Sequence, residues 1–264
     1  MSRWLLVLAF CLTGPLTLPA SAPADPLPQG IVHPKVPPGT SLVELGYQLY
    51  AGNCATCHGA GGRGIATPTR GASGERGQGP PLRGVGALAP DFYLRTGYMP
   101  LSQVGSQPHR SRVLFDEREI RALIAYVASL GRGPPVPAPN PRRGNVSEGQ
   151  RLFAQHCAGC HQVVAKGGYL PGAIAPQLVR ATPVQIAEAV RIGPFVMPTF
   201  SKRQISDRQL DSIVAYVQET KHPDDRGGWS LGHIGPVPEG LVSWLLAAAV
   251  LVVVCVLIGK RVES

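Results

Sequence analysis

Cys54-Ala55-Thr56-Cys57-His58 and Cys157-Ala158-Gly159-Cys160-His161 are two copies of one five-residue pattern, C-x-x-C-H. Each is followed downstream by a Met-Pro pair, Met99-Pro100 and Met197-Pro198, and Met1 is the only other methionine. The pattern is the attachment signature of c-type haem: two thiols form thioethers to the porphyrin edge, and the histidine takes one axial position on iron. A later methionine can supply the other. The repeat therefore predicts two covalently bound haem c groups. Cys54 and Cys57 would hold the first, with His58 and Met99 axial; Cys157 and Cys160 would hold the second, with His161 and Met197 axial.

The remaining cysteines, Cys11 and Cys255, lie in apolar runs at the two ends, so no pair is left for a structural disulfide. A secreted disulfide scaffold is the competing reading of the same four cysteines. Zinc is disfavoured, because neither motif has a second Cys or His pair at finger spacing. The 264 residues include 32 Gly and 27 Pro but only 6% aromatics, which implies small cores. Domains of under about 100 residues bury proportionally little surface and usually need a staple, and covalent haem is one. The formal charge of +9 falls to about +5 once each haem brings two ionised propionates. No Lys/Arg-rich run of the kind that binds nucleic acid occurs.

Arg3, the apolar run Trp4 to Leu12 and the small residues Ala20, Ala22 and Ala24 have the layout of a secretory signal cleaved after Ala24. An uncleaved signal anchor is the alternative. From Leu241 to Gly259 no charge occurs over a stretch that spans about 28 Å as a helix, which matches a bilayer core. Trp244 stands near one end and Lys260 and Arg261 close the other, so the positive-inside rule puts the C-terminus in the cytoplasm and everything before Leu241 outside.

The two halves match beyond the motifs. Gly46, Leu49, Tyr50 and Ala51 precede Cys54 as Gly149, Leu152, Phe153 and Ala154 precede Cys157, at spacings that predict an amphipathic helix leading into each motif. IAYV at Ile124 to Val127 and VAYV at Val214 to Val217 mark a closing helix in each half. Asp116 with Glu119 and Ser206 with Gln209 are capping-box starts for those helices. A helix, the haem motif, a methionine loop and a closing aromatic-bearing helix make each half resemble a class I cytochrome c domain. The predicted fold is all-α: two tandem class I cytochrome c domains plus one C-terminal transmembrane helix. The expected order is signal segment 1–24, proline-rich arm 25–40, first domain 41–131, proline-rich linker 132–144, second domain 145–222, juxtamembrane segment 223–240, span 241–259 and cytoplasmic tail 260–264.

Both methionines follow an Arg-x-Gly sequence, at Arg95 to Gly97 and Arg191 to Gly193, which separates them from core-filling methionines. The resemblance further implies that Pro80 and Pro176 offer a carbonyl to the proximal histidine ring. His33, His109, His156, His222 and His233 read as surface residues, with His109 set apart by an insertion between Met99 and Asp116 that the second half lacks. Gly59, Gly61 and Gly64 satisfy G-x-G-x-x-G, but no strand pattern precedes them, so this is a loop and not a nucleotide site.

The whole order resembles the dihaem cytochrome c subunit of actinobacterial-type cytochrome bcc complexes. Gly227, Gly228, Leu231, Gly232, Gly235, Pro236, Pro238, Glu239 and Gly240, followed by Trp244, look like that subunit's approach to its anchor. The resemblance implies an electron carrier between a Rieske iron–sulfur subunit and an aa3-type cytochrome c oxidase, assembled with a cytochrome b subunit in a quinol–cytochrome c reductase. The chain itself would have no substrate site. A dihaem subunit of a cbb3-type oxidase or periplasmic dehydrogenase is the nearest alternative. A dihaem peroxidase would need an open iron, against which two methionine ligands argue.

Overall fold

The computed structural model describes residues 30–65, 79–101, 106–221 and 236–262. The expected signal segment, most of the glycine-rich loop after the first motif, His222, His233 and most of the juxtamembrane stretch lie outside the described residues.

The first half is built from α1 (Leu42–Asn53), the single turn α2 (Ala55–His58), α3 (Leu88–Arg95) and α4 (Glu117–Ser129). The Ser41 side chain accepts from the Glu44 N–H to start α1, and Asp116 and Glu119 close the expected capping box on α4, each satisfying amides that the first turn leaves open. Helices α1 and α4 pack together, burying Leu45, Leu49 and Tyr50 on the one and Ile120, Leu123 and Val127 on the other. The helices cross at Gly46, where a β-carbon would run into the Ala122 carbonyl. Beside the crossing the Tyr50 and Tyr126 rings pack at a tilt of 49°, with centroids 5.1 Å apart.

The second half repeats this plan with α5 (Val146–His156), the turn α6 (Ala158–His161), α7 (Pro183–Ile192) and α8 (Asp207–Glu219). Gly149 is pressed against the Ser212 carbonyl as Gly46 is against Ala122, and Phe153 packs on Tyr216 at 5.4 Å. The Ser206–Gln209 capping box on α8 is present. A further box, Thr182 with Gln185, starts α7 behind Pro183. One small departure from all-helical structure separates α6 from α7: β1 (Gly168–Leu170) pairs antiparallel with β2 (Ala173–Ala175), Tyr169 opposite Ile174. Pro171-Gly172 turns between them, and Gly172 takes the positive φ of 77° that such a turn favours.

The proline-rich linker is docked at both ends. The Pro134 carbonyl accepts from the Ala87 and Leu88 amides, both at 3.2 Å, and so caps the start of α3. At the far end the Asn140 amide donates to Asp211 Oδ1 at 2.6 Å and the Asn145 amide to Ser212 Oγ at 3.0 Å. The halves also touch directly through α3 and α7. Residues from Val32 onward form one compact unit.

The last helix, α9 (Pro236–Val262), begins five residues before the expected span. Proline is tolerated there because the first turn has no intrahelical use for its missing N–H. Gly240–Arg261 is long and apolar enough to cross a membrane. Leu245, Val250 and Leu257 are exposed like the other large apolar residues along it, which suits contact with lipid.

Candidate haem sites

Each motif is held by the helix that precedes it. Cys54 terminates α1, its amide bonded to the Tyr50 carbonyl at 2.8 Å, and the chain continues at once into α2, where the His58 amide reaches the Cys54 carbonyl at 2.8 Å. Cys157 and His161 repeat the arrangement on α5 and α6, at 2.8 Å and 2.9 Å. One helical turn thus presents two thiols and an imidazole together. The thiols are unpaired. Burial, then the neighbouring Cys57, pushes Cys54 up to about 12; burial and Cys160 push Cys157 up to about 11. Such protonated, buried thiols are unlike the low-pKa thiolates of disulfide exchange.

The histidines are oriented by the expected partners. His58 Nδ1 lies 2.8 Å from the Pro80 carbonyl and His161 Nδ1 lies 3.0 Å from the Pro176 carbonyl. A carbonyl only accepts, so Nδ1 carries the proton and Nε2 keeps its lone pair for a metal. Burial holds His161 below the ordinary histidine range, against the opposing pull of the Pro176 carbonyl. Gly79 is required beside the first histidine, since a β-carbon there would collide with the Cys57 carbonyl and His58 Nδ1.

In the second half Cys157, Cys160, His161 and Met197 line one cavity with about 1190 Å³ of empty space, part of it open to solvent. Its walls are mainly apolar, with Phe153, Ile186, Val190 and Ile213 among them. Met197 is half-buried against the core. The reason for the Arg-x-Gly sequence is visible here. Arg191 donates to the carbonyls of Phe200 and Ile205, at 3.0 Å and 2.8 Å, and to Asp207 at the start of α8, clamping the loop that bears Met197. Gly193 ends α7 in the left-handed conformation, packed against the Met197 carbonyl. In the first half Arg95 makes the matching bond, bidentate to Glu117 at the start of α4, and the Met99 amide donates to the Tyr93 carbonyl. The geometry brings all four candidate haem-binding residues of the second site to one cavity. For the first it puts Cys54, Cys57 and His58 on one turn and Met99 separately, on the turn after α3.

Among the described residues no three His, Cys, Asp or Glu side chains converge on a point that would hold a bare ion. Two thiols and an imidazole spread along the edge of a broad apolar cavity fit a flat, covalently tethered porphyrin instead.

Sequence reading missed one part of the second cavity. Phe92, Thr96, Tyr98, Gln107, Pro108 and Arg110, all from the first half, form one side of it. His109, singled out within the insertion, is exposed. Its neighbours make the contacts: Gln107 brackets Ile174, its Nε2 donating to the carbonyl at 2.7 Å and its Oε1 accepting from the amide at 3.0 Å, while Arg110 donates to Gln185 at 2.7 Å.

Two such sites on two such domains define a dihaem c-type cytochrome, a membrane electron carrier with two covalently bound haem c groups. The Cytochrome c family profile matches residues 43–131, and that of "Cytochrome C oxidase, cbb3-type, subunit III" matches residues 144–217. The chain is 36% identical to the "Cytochrome bc1 complex cytochrome c subunit" of Mycobacterium tuberculosis over 97% of its own length and 89% of that protein, and 35% identical to the protein of that name from Corynebacterium diphtheriae over 84% and 82%. It belongs to this family of cytochrome c subunits. The "Cbb3-type cytochrome c oxidase subunit CcoP" of Azospirillum is a more distant relative, 28% identical over 66% of the chain and 62% of that protein.

Proposed function

We propose that the chain is the dihaem cytochrome c subunit of a quinol-oxidising bcc complex of the bc1 type, passing electrons from a Rieske iron–sulfur subunit to an aa3-type terminal oxidase. The observation that carries this reading is the similarity to bc1 complex cytochrome c subunits over 97% of the chain, through both motifs and into the C-terminal helix. Cytochrome b is the remaining partner, and quinol oxidation and any translocase activity belong to the assembled complex. Both haem domains face the extracytoplasmic side, with Lys260 and Arg261 on the cytoplasmic end of α9.

Cys54, Cys57, Cys157 and Cys160 would form the thioethers, and His58 with Met99, and His161 with Met197, would hold the two irons. A haem held this way would supply one-electron chemistry at a high potential, because a thioether favours the reduced metal. The protein keeps the ligands still. Pro80 and Pro176 orient the imidazoles, Arg191 and its bonds fasten the loop of Met197, and the mainly apolar wall leaves few polar groups whose reorientation would oppose charge transfer. Gentle detergent purification of the tagged chain is the test. Recovery with a Rieske protein and cytochrome b is expected; recovery with cbb3-type oxidase subunits alone would transfer the assignment to the reading that the match over residues 144–217 supports.

A further inference from the structure

We propose that Arg110, a residue of the first domain, belongs to the second haem site, where its guanidinium is the counter-charge for the carboxylate edge of the porphyrin. The contact between the domains then sets the reduction potential of the second haem. The inference rests on the dihaem reading and extends it to a residue outside either motif.

The cavity that holds Cys157, His161 and Met197 has no Asp, Glu or Lys among its described lining residues, and Arg110 is its one permanent cation. A haem brings two propionates that ionise near neutral pH, and an arginine never gives up its charge. Among the described residues no carboxylate forms an ion pair with Arg110. It is nevertheless held in place. Its Nη2 donates to Oε1 of Gln185, a buried residue, and the same oxygen accepts from the Thr182 amide at 3.2 Å within the box that starts α7. Gln107, three residues earlier, fastens the segment to both backbone groups of Ile174. A cation positioned from outside the domain, in a cavity otherwise free of formal side-chain charge, fits an anionic cofactor edge.

The sign of the effect follows from charge. Reduction removes one positive charge from the iron site, so a nearby cation stabilises the reduced form and raises the potential. The test is a spectroscopic redox titration of the full membrane-anchored chain carrying Arg110→Gln, Arg110→Lys or Gln185→Leu, with haem content measured in each. The component altered by Met197→Ala is that of the second site. Arg110→Gln is expected to lower its potential and leave the first unchanged, Arg110→Lys to preserve most of it, and Gln185→Leu to shift it the same way by less. Unmoved potentials in an Arg110→Gln protein with two haems, or equal shifts at both sites, would overturn the proposal. If Arg110→Gln lost the second haem, retention by Arg110→Lys would support it and loss from both would overturn it. Fewer than two haems in the wild-type chain would defeat the dihaem reading itself.

Discussion

Glu188 on α7 is completely buried, and neither carboxyl oxygen has a hydrogen-bond partner of normal geometry among the described residues. It faces Asp91 on α3, itself 7% exposed and bonded to Arg95 Nε at 2.8 Å. Burial, and after it the Asp91 carboxyl, raises Glu188 to about 9, while Arg95 opposes the shift. At neutral pH Glu188 is therefore protonated in the folded protein and ionised in the unfolded chain. Its stabilising share is complete below the ordinary value of 4.5 and is lost as pH rises toward 9, at up to about 1.4 kcal/mol per pH unit. Glu188→Gln should flatten the fall in thermal stability between those limits, measured by calorimetry across pH; an unchanged slope would show that the carboxyl does not titrate in this way. Met197 allows a second test at this scale. Met197→Ala should lower one haem potential and open that iron to carbon monoxide, with His161 still attached; wild-type spectra and potentials would remove Met197 from the ligand set.

At the scale of elements, the α5–α8 crossing depends on Gly149, whose missing side chain lets the Ser212 carbonyl approach. Gly149→Ala should force the helices apart at a cost of about 1–3 kcal/mol, seen as a lower Tm with both haem spectra retained; unchanged stability would mean that the crossing relaxes freely. Such features divide cleanly by what a sequence can encode locally. The capping pairs Asp116–Glu119 and Ser206–Gln209 are three residues apart, and the Arg of each Arg-x-Gly clamp stands four or six residues before its methionine, so all could be read along the chain. The Thr182–Gln185 box was equally local, but no motif drew attention to α7. The hairpin strands are three residues each, too short for periodicity to register. The cross-domain bonds Gln107–Ile174 and Arg110–Gln185 span 67 and 75 residues. Lone polar residues at such separation leave no pattern, and this is why the shared wall of the second cavity was invisible before folding.

For the whole molecule, α9 is the described element that would hold the chain to a bilayer. Ending the chain after Gly235 should release a dihaem protein into the soluble fraction, with segment 1–24 cleaved; persistent membrane association would identify that segment as a retained anchor. The linker bears on the two sites together. Pro134 is tied to α3 and Asn140 to α8, so the domains are not beads on a random tether whose separation follows polymer statistics. Tunnelling rates fall exponentially with distance, and a fluctuating tether would smear each hop over a broad spread of times. Docked at both ends, this one gives the internal hop a single clock.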